Sequence, residues 1–311
     1  MKEKNGTIIN FFLLGFPNIG GFGVIFFIFV LIAFTSALFF DGLLIISVST
    51  KKFLDAPMYF FLKNFLCSEI ILVTLVVPNM LRVIWLNGAT ISIAGCIAQS
   101  YLYCASGSTE SYLLAAMAYD RYLAICKPLL YNQIMNQNLQ YFLVIFCWMF
   151  GFMSTLITMS FEALLSFCGP NVIDHYFCDL APFVDLACSD TSSFQIEILI
   201  LSFPIMVIPF VLILVSYGCV VVAILQMSSI TRRKKAFSTC SSHLFIVSMY
   251  FGSLIIIYLV PSNSQTLNKM ISVLYTVVTP LFNPFIYSIR NQEIRAIMWA
   301  TVTFKLIHNK N

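Results

Sequence analysis

Met117-Ala-Tyr-Asp-Arg-Tyr-Leu-Ala-Ile-Cys-Lys-Pro-Leu-Leu-Tyr131 closes a long apolar run. It sets an acid and a base side by side, Asp120 and Arg121, where a helix would leave a membrane. Charges at that depth are costly unless paired. Paired, the two satisfy one another; parted, they free an arginine toward water. The stretch reads as a latch on the end of a membrane helix.

Composition supplies the membrane protein around it. Of 311 residues, 60% are hydrophobic and 10% charged, and the mean hydropathy is +0.92. A soluble domain would carry far more charge, so the chain is integral to a membrane. The net charge of +4 comes from basic residues in loops, which excludes a nucleic-acid surface. Residues 1–10 are polar and the first apolar run is too long for a cleaved signal core, so the first helix is expected to act as its own insertion signal. Asn5-Gly6-Thr7 is an acceptor for N-linked sugar.

Seven apolar segments follow: Gly23–Ser49, Met58–Leu81, Ile91–Ile125, Tyr141–Phe161, Ile196–Ile224, Ala236–Val260 and Met270–Ile289. Each reaches the roughly 20 residues that cross a bilayer as a helix, the form that satisfies its own backbone in lipid. No internal repeat suggests the inverted halves of many transporters. Lys51, Lys52, Arg121, Lys127, Arg232–Lys235, Arg290, Arg295, Lys305 and Lys310 fall on one side, and only Lys2, Lys4, Arg82 and Lys269 on the other. The positive-inside rule then puts the N-terminus outside and the C-terminus in the cytoplasm. The expected fold is an all-α membrane protein, a seven-transmembrane helix bundle in a single domain. Residues 1–22 are an extracellular tail, 23–289 the bundle and 290–311 a cytoplasmic tail. In that tail Gln292–Phe304 alternates charged with apolar residues, the pattern of a short amphipathic helix on the inner membrane surface.

Six cysteines, Cys67, Cys104, Cys126, Cys147, Cys219 and Cys240, lie in or at the ends of spans as small apolar packing residues. Cys96, Cys168, Cys178 and Cys188 face the oxidising side, so two disulfides are expected. Four cysteines allow three pairings, and the sequence alone leaves all three open.

Seven spans, the Asp-Arg-Tyr segment and Asn283-Pro284-Phe-Ile-Tyr287 together resemble rhodopsin-like G-protein-coupled receptors. A narrower set resembles odorant receptors: Pro57-Met-Tyr-Phe-Phe-Leu62, Met117–Pro128, Ser216-Tyr217, Lys235-Ala-Phe-Ser-Thr-Cys-Ser-Ser-His-Leu244, Pro280–Asn291, and Cys168–Cys178 with Ala187–Asp190. The motifs run in order along essentially the whole chain, and the long loop resembles the land-vertebrate, volatile-detecting type. The resemblance implies the pairs Cys96–Cys178 and Cys168–Cys188. It also implies a small volatile ligand, a heterotrimeric G protein of the stimulatory or olfactory type that raises cAMP, and a plasma membrane in sensory cilia.

By the same resemblance Asp120, Arg121, Tyr122, Tyr217, Asn283, Pro284 and Tyr287 form the coupling switch. Arg121 pairs with Asp120 at rest and turns to the G protein on activation, with Tyr217 and Tyr287 as polar partners. Pro209 and Pro284 remove hydrogen bonds to Ile205 and Pro280 and set hinges in spans five and seven. Tyr250-Phe251-Gly252 inverts the expected Phe-Tyr order, which moves a hydroxyl to another face. Arg232–Lys235 reads as a cytoplasmic anchor or as a G-protein contact.

Asp41, Glu69 and Glu110 lie inside spans one to three, roughly 14–18 Å from their cytoplasmic ends. No basic residue occurs mid-span to neutralise them. They are either partly protonated or share a cation, and the resemblance matches Glu69 and Glu110 to a sodium-site region. Asp41 stands where the pattern has asparagine; it either strengthens cation binding or mimics that asparagine.

The ligand pocket is expected in the outer half, beneath the long loop. Tyr103, Cys104, Gly107 and Ser108 share one face of span three. Similar counting adds Ser202, Ile205, Met206, Phe251, Leu254, Ile255, Tyr258, Val273 and Thr276. The set is apolar with a few hydroxyls and no charge, which suits a small neutral hydrophobic ligand. A receptor for an internal metabolite, and an ion-coupled transporter or channel, are the competing readings. No cofactor beyond a bound sodium ion is expected. No catalytic residue is expected either, because His175, His243 and His308 are scattered without a nucleophile.

Overall fold

Apolar runs long enough to cross a bilayer become helices because a helix pairs its own backbone polar groups. The structure, a computed structural model, describes residues 10–17, 20–50, 56–168, 171–180, 184, 186–259 and 265–290. Its helices are α1 (Gly23–Thr50), α2 (Pro57–Leu86), α3 (Ile93–Cys126), α4 (Tyr131–Ile134), α5 (Gln137–Glu162), α6 (Ser192–Ser202), α7 (Ile208–Leu225), α8 (Ile230–Leu259), α9 (Gln265–Val273) and α10 (Thr279–Arg290). The π-turn Phe203–Val207 joins α6 to α7, and the π-turn Leu274–Val278 joins α9 to α10. Each joined pair makes one span, so the described residues form a seven-helix bundle.

Several helices begin before their apolar windows do. The fourth span starts at Gln137 rather than Tyr141, capped by Asn136, whose side chain accepts from the Leu139 amide at 3.0 Å. The fifth starts at Ser192, the sixth at Ile230 and the seventh at Gln265. Their first turns are polar and escape a hydropathy reading. The basic run Arg232–Lys235 therefore lies inside α8. The second span passes Pro78 and continues to Leu86, where Asn87 closes it in the left-handed conformation.

Five described spans are by length and composition apolar enough to cross a membrane; α3 is not among them. α8 is the second exception, and for α3 the cause is physical. Ser106, Ser108, Thr109, Glu110 and Ser111 of α3 are all buried, so this helix packs on α2, α5 and α7 and turns its polar centre away from lipid. In α8 the apolar part of the described residues is Cys240–Ile256.

A small sheet covers the end of the bundle that carries the disulfides. Strand β1 (Asn10–Leu13) runs antiparallel to β2 (Ala89–Ser92), with Asn10 opposite Ser92, and parallel to β3 (Val172–Ile173), with Phe12 opposite Val172. Phe11 and Leu13 alternate inward and are fully buried. Part of the stretch read as a tail is thus ordered structure. Asn5, Lys51, Lys52 and the amphipathic segment Gln292–Phe304 lie outside the described residues.

Gly151 sets the distance between α5 and α3. A Cβ there would stand 2.4 Å from Thr109 Oγ1 and 2.9 Å from the Ala105 carbonyl, an approach that only a small residue permits. Gly151→Val is expected to push the two helices apart and cost roughly 1–3 kcal/mol. Thermal melting of the purified protein checks this: a melting temperature equal to that of the parent would show that the contact yields.

Candidate functional site

Asp120 is completely buried and the Arg121 side chain is 16% exposed. The guanidinium donates from Nη2 and Nε to Asp120 Oδ2, at 2.5 and 3.0 Å. The other carboxylate oxygen accepts from the Tyr131 hydroxyl of α4 at 2.7 Å. The closed latch therefore has three members, and the loop that follows α3 supplies the third. Tyr131 ends the motif Met117–Tyr131 and has no role legible in the sequence alone. Its only signal there is a phenol eleven residues beyond the acid, past a proline that turns the chain back.

Beside the latch, the Tyr217 hydroxyl of α7 lies 2.7 Å from His243 Nδ1 of α8, and both are buried. Arg121 interacts electrostatically with both. Among three scattered histidines, only the motif Lys235–Leu244 marks His243 out in the sequence. Tyr122 points elsewhere, with Lys127 Nζ 5.9 Å above its ring. The side chain of Tyr287 lies outside the described residues.

The opposite end is roofed by the long loop. Cys178 is bonded to Cys96 of α3, with the two Cα atoms 5.4 Å apart, and Cys168 is bonded to Cys188, with Cα atoms 5.9 Å apart. The first bond draws His175, Tyr176 and Phe177 into the bundle, where all three are buried. The Cys178 amide donates to Gln99 Oε1 at 3.0 Å. The Tyr176 hydroxyl meets Thr276 Oγ1 at 3.0 Å, and its ring stacks on Phe16. Lys269 of α9, 4% exposed, donates to the Gly15 carbonyl at 2.7 Å and pairs with Asp174. One cation thus ties tail, loop and last span together, a role invisible in a count of loop charges.

Asn283 Nδ2 of α10 donates to Glu69 Oε1 at 2.5 Å. Both oxygens of Asp41, Oε2 of Glu69 and Oε1 of Glu110 have no hydrogen-bond partner, and the three carboxyls interact electrostatically. Oxygen donors of this kind suit a hard cation. Among the described residues, however, no three of His, Cys, Asp and Glu are grouped as they would be to hold a metal ion.

A family model described as "Olfactory receptor" matches residues 26–305. Human olfactory receptor 11A1 is 45% identical over 98% of this chain and 97% of its own length. Human olfactory receptor 10A7 is 40% identical over the same shares, 98% and 97%. The chain belongs to the olfactory receptor family. A crystal structure of squid rhodopsin matches 92% of this chain and 82% of that one with a TM-score of 0.71; at 17% identity it speaks for the fold alone. The protein is a G-protein-coupled odorant receptor and a multi-pass protein of the plasma membrane.

In this olfactory receptor the residues expected to line the pocket do not all converge. Tyr103 packs on Phe177 of the roof, with centroids 4.9 Å apart, and edge-on to Tyr275 at 6.2 Å. The Tyr250 hydroxyl donates to the Gly107 carbonyl at 2.5 Å. That is where the inverted Tyr-Phe order sends the hydroxyl, while Phe251 packs on Phe210. Thr276 and Val273 are buried beneath the loop. Tyr176, Phe177, Tyr250 and Tyr275 complete this cluster and were absent from the expected set.

Ser108 and Ser202 donate to carbonyls of their own helices, those of Cys104 and Leu199. Cys104, Met206 and Leu254 are partly buried, and Ile255 is 37% exposed. The Ile205 carbonyl, which Pro209 cannot serve, is 3.0 Å from the Ser111 hydroxyl of α3. The Tyr258 side chain lies outside the described residues.

Burial, and then the charge of Lys269, push the His175 imidazole down to about 3. An undocked loop would take up this proton near pH 6.5, so between the two values the undocked state binds more protons. Docking is therefore fully stable above pH 6.5 and weakens as the pH falls toward 3. The roof should be about 2 kcal/mol less stable at pH 5 than at pH 7.5. Melting curves of the receptor and of His175→Gln at the two pH values test this. A pH dependence that survives the substitution would assign it to another group.

Proposed function

We propose that this receptor binds a small, neutral, mostly hydrophobic volatile beneath the Tyr176–Phe177 roof and passes the signal along α3 to the Asp120–Arg121–Tyr131 latch. The observation that carries this reading is that α3 serves both ends. Tyr103 and Gly107 meet the roof and the Tyr250–Tyr275 pair, and Arg121 is held on the same helix. The cluster around Tyr103 is aromatic, with hydroxyls for orientation and no charged side chain from the expected set. A carboxylate ligand would find Lys269 already paired with Asp174.

A ligand that favours an opened bundle would part Arg121 from Asp120 and turn it toward a stimulatory G protein, raising cAMP. Asn283 and Pro284 of α10 lie on that path through Glu69, and Tyr217 and Tyr287 supply polar partners for the freed guanidinium. The distribution of Lys and Arg supports an outward N-terminus and a cytoplasmic Arg121 end. On that topology the chain is one domain, with Asn5 as its glycan acceptor and sensory cilia as its site. No catalytic residue is assigned: His175 packs in the roof and His243 bonds Tyr217.

Cells displaying the receptor should raise cAMP in a dose-dependent way for at least one of a panel of neutral volatiles. Arg121→Ala at equal surface level should abolish the rise. Tyr131→Phe should instead raise basal cAMP, because the closed latch loses a hydrogen bond to a charged group, worth roughly 1.5–3 kcal/mol. A full response from Arg121→Ala would remove the latch from the mechanism.

The orphaned oxygens of Asp41, Glu69 and Glu110 are of the type a sodium ion takes, but the three acids are not grouped around one point, so no step is routed through an ion. Asp41→Asn is expected to leave the sodium dependence of the dose–response curve unchanged. A shift of that dependence would restore the cation reading for Asp41.

A further inference from the structure

The Arg121 end of the bundle carries a groove of about 650 Å³ between α7 and α8, within the range of roughly 300–1,000 Å³ typical of small-molecule sites. Its floor is Ile224, which is buried. Its walls include Val221 and Leu225 of α7 and Phe237 of α8, all strongly exposed. The four-residue connector, 226–229, joins the two helices beside it.

Arg233 and Lys234 of α8 also line the groove. Neither α7 nor α8 contains an Asp or Glu. Among the described residues the ion pairs are Arg121–Asp120 and Lys269–Asp174, so the two groove cations have no carboxylate partner there. Exposed apolar walls next to unpaired cations complement a molecule that is anionic at one end and hydrocarbon at the other. A membrane presents such molecules at this depth.

We propose that the groove binds an anionic glycerophospholipid, with its phosphate between Arg233 and Lys234 and an acyl chain along Val221, Leu225 and Phe237. The bound lipid bridges the Arg121 ends of α7 and α8 and so stabilises one separation of these helices beside the latch. The leaflet that supplies the lipid follows from the topology proposed above; the binding itself does not depend on it.

The test uses the full-length receptor in nanodiscs, which present both leaflets, with phosphatidylserine and phosphatidylcholine of identical acyl chains. Bound lipid is read by native mass spectrometry after release. Two cations at about 1 kcal/mol each predict a preference of roughly 30-fold for phosphatidylserine. Arg233→Gln with Lys234→Gln should abolish the preference. Val221→Trp, which fills the groove and keeps the cations, should lower retention of phosphatidylserine. Water-soluble glycerophosphoserine, which lacks acyl chains, should fail to displace it. All three substitutions fall on exposed side chains, and an unchanged melting temperature confirms that each variant folds.

Equal retention of the two lipids overturns the proposal. So does full retention by Val221→Trp, which would reduce the effect to surface attraction, and so does displacement by the soluble headgroup. Loss of G-protein coupling in Val221→Trp with lipid retention intact would assign the groove to a protein partner instead.

Discussion

Lipid offers no hydrogen-bond partners, so the polar side chains in the middle of α3 have to face the inside of the bundle. That constraint organises the rest of the structure. The buried stretch from Ser106 to Ser111 is tolerable only where α2, α5 and α7 surround it. Ser68 of α2 reaches the Ser106 carbonyl, and Tyr112 reaches the Pro204 carbonyl in the π-turn between α6 and α7. Once α3 is central, its two ends become the two working ends of the receptor. Cys96 ties one end to the loop, and Arg121 closes the other.

Proline and the π-turns act within the same constraint. Pro209 leaves the Ile205 carbonyl without its helical donor, a cost in a membrane unless another donor arrives. The Ser111 hydroxyl, shared with the Ser108 carbonyl, supplies it from α3. In the last span the Thr279 hydroxyl serves the Leu274 carbonyl at the π-turn. The two irregular places in the long spans are thus sewn up by side chains. A helix whose backbone is completed by a neighbour's hydroxyl is coupled to that neighbour, which gives α3 a physical connection to the fifth span.

The roof and the latch are built differently. The roof is covalent at Cys96–Cys178 and electrostatic at Lys269–Asp174, with aromatic rings filling the space between. It covers a buried aromatic cluster. The latch is a single buried carboxylate shared between an arginine and a phenol. Three polar groups that satisfy one another can be separated at once when new partners are offered. Under the mechanism proposed above, covalent closure at one end and a separable contact at the other would turn ligand binding into an exposed arginine.

The sequence carries the seven spans, the adjacency of Asp120 and Arg121 and the family, because each is written in contiguous residues: an apolar run, a dipeptide, a string of motifs. It also showed, through Pro209, that the Ile205 carbonyl had lost its donor. Packing of the helices brings Ser111 to that carbonyl and Tyr131 to Asp120. The same holds for Tyr217 meeting His243, for Lys269 clasping Gly15 and Asp174, and for residues 10–13 pairing between two loops. Helix starts were misread by four to six residues at Gln137, Ser192, Ile230 and Gln265 because their first turns are polar. Helical periodicity placed Tyr103 and Gly107 correctly on one face, yet it could not name Phe177 or Tyr275 as their neighbours. The reason is the same in each case: periodicity describes one helix at a time, whereas these contacts join residues far apart in the chain, and only packing brings them within reach.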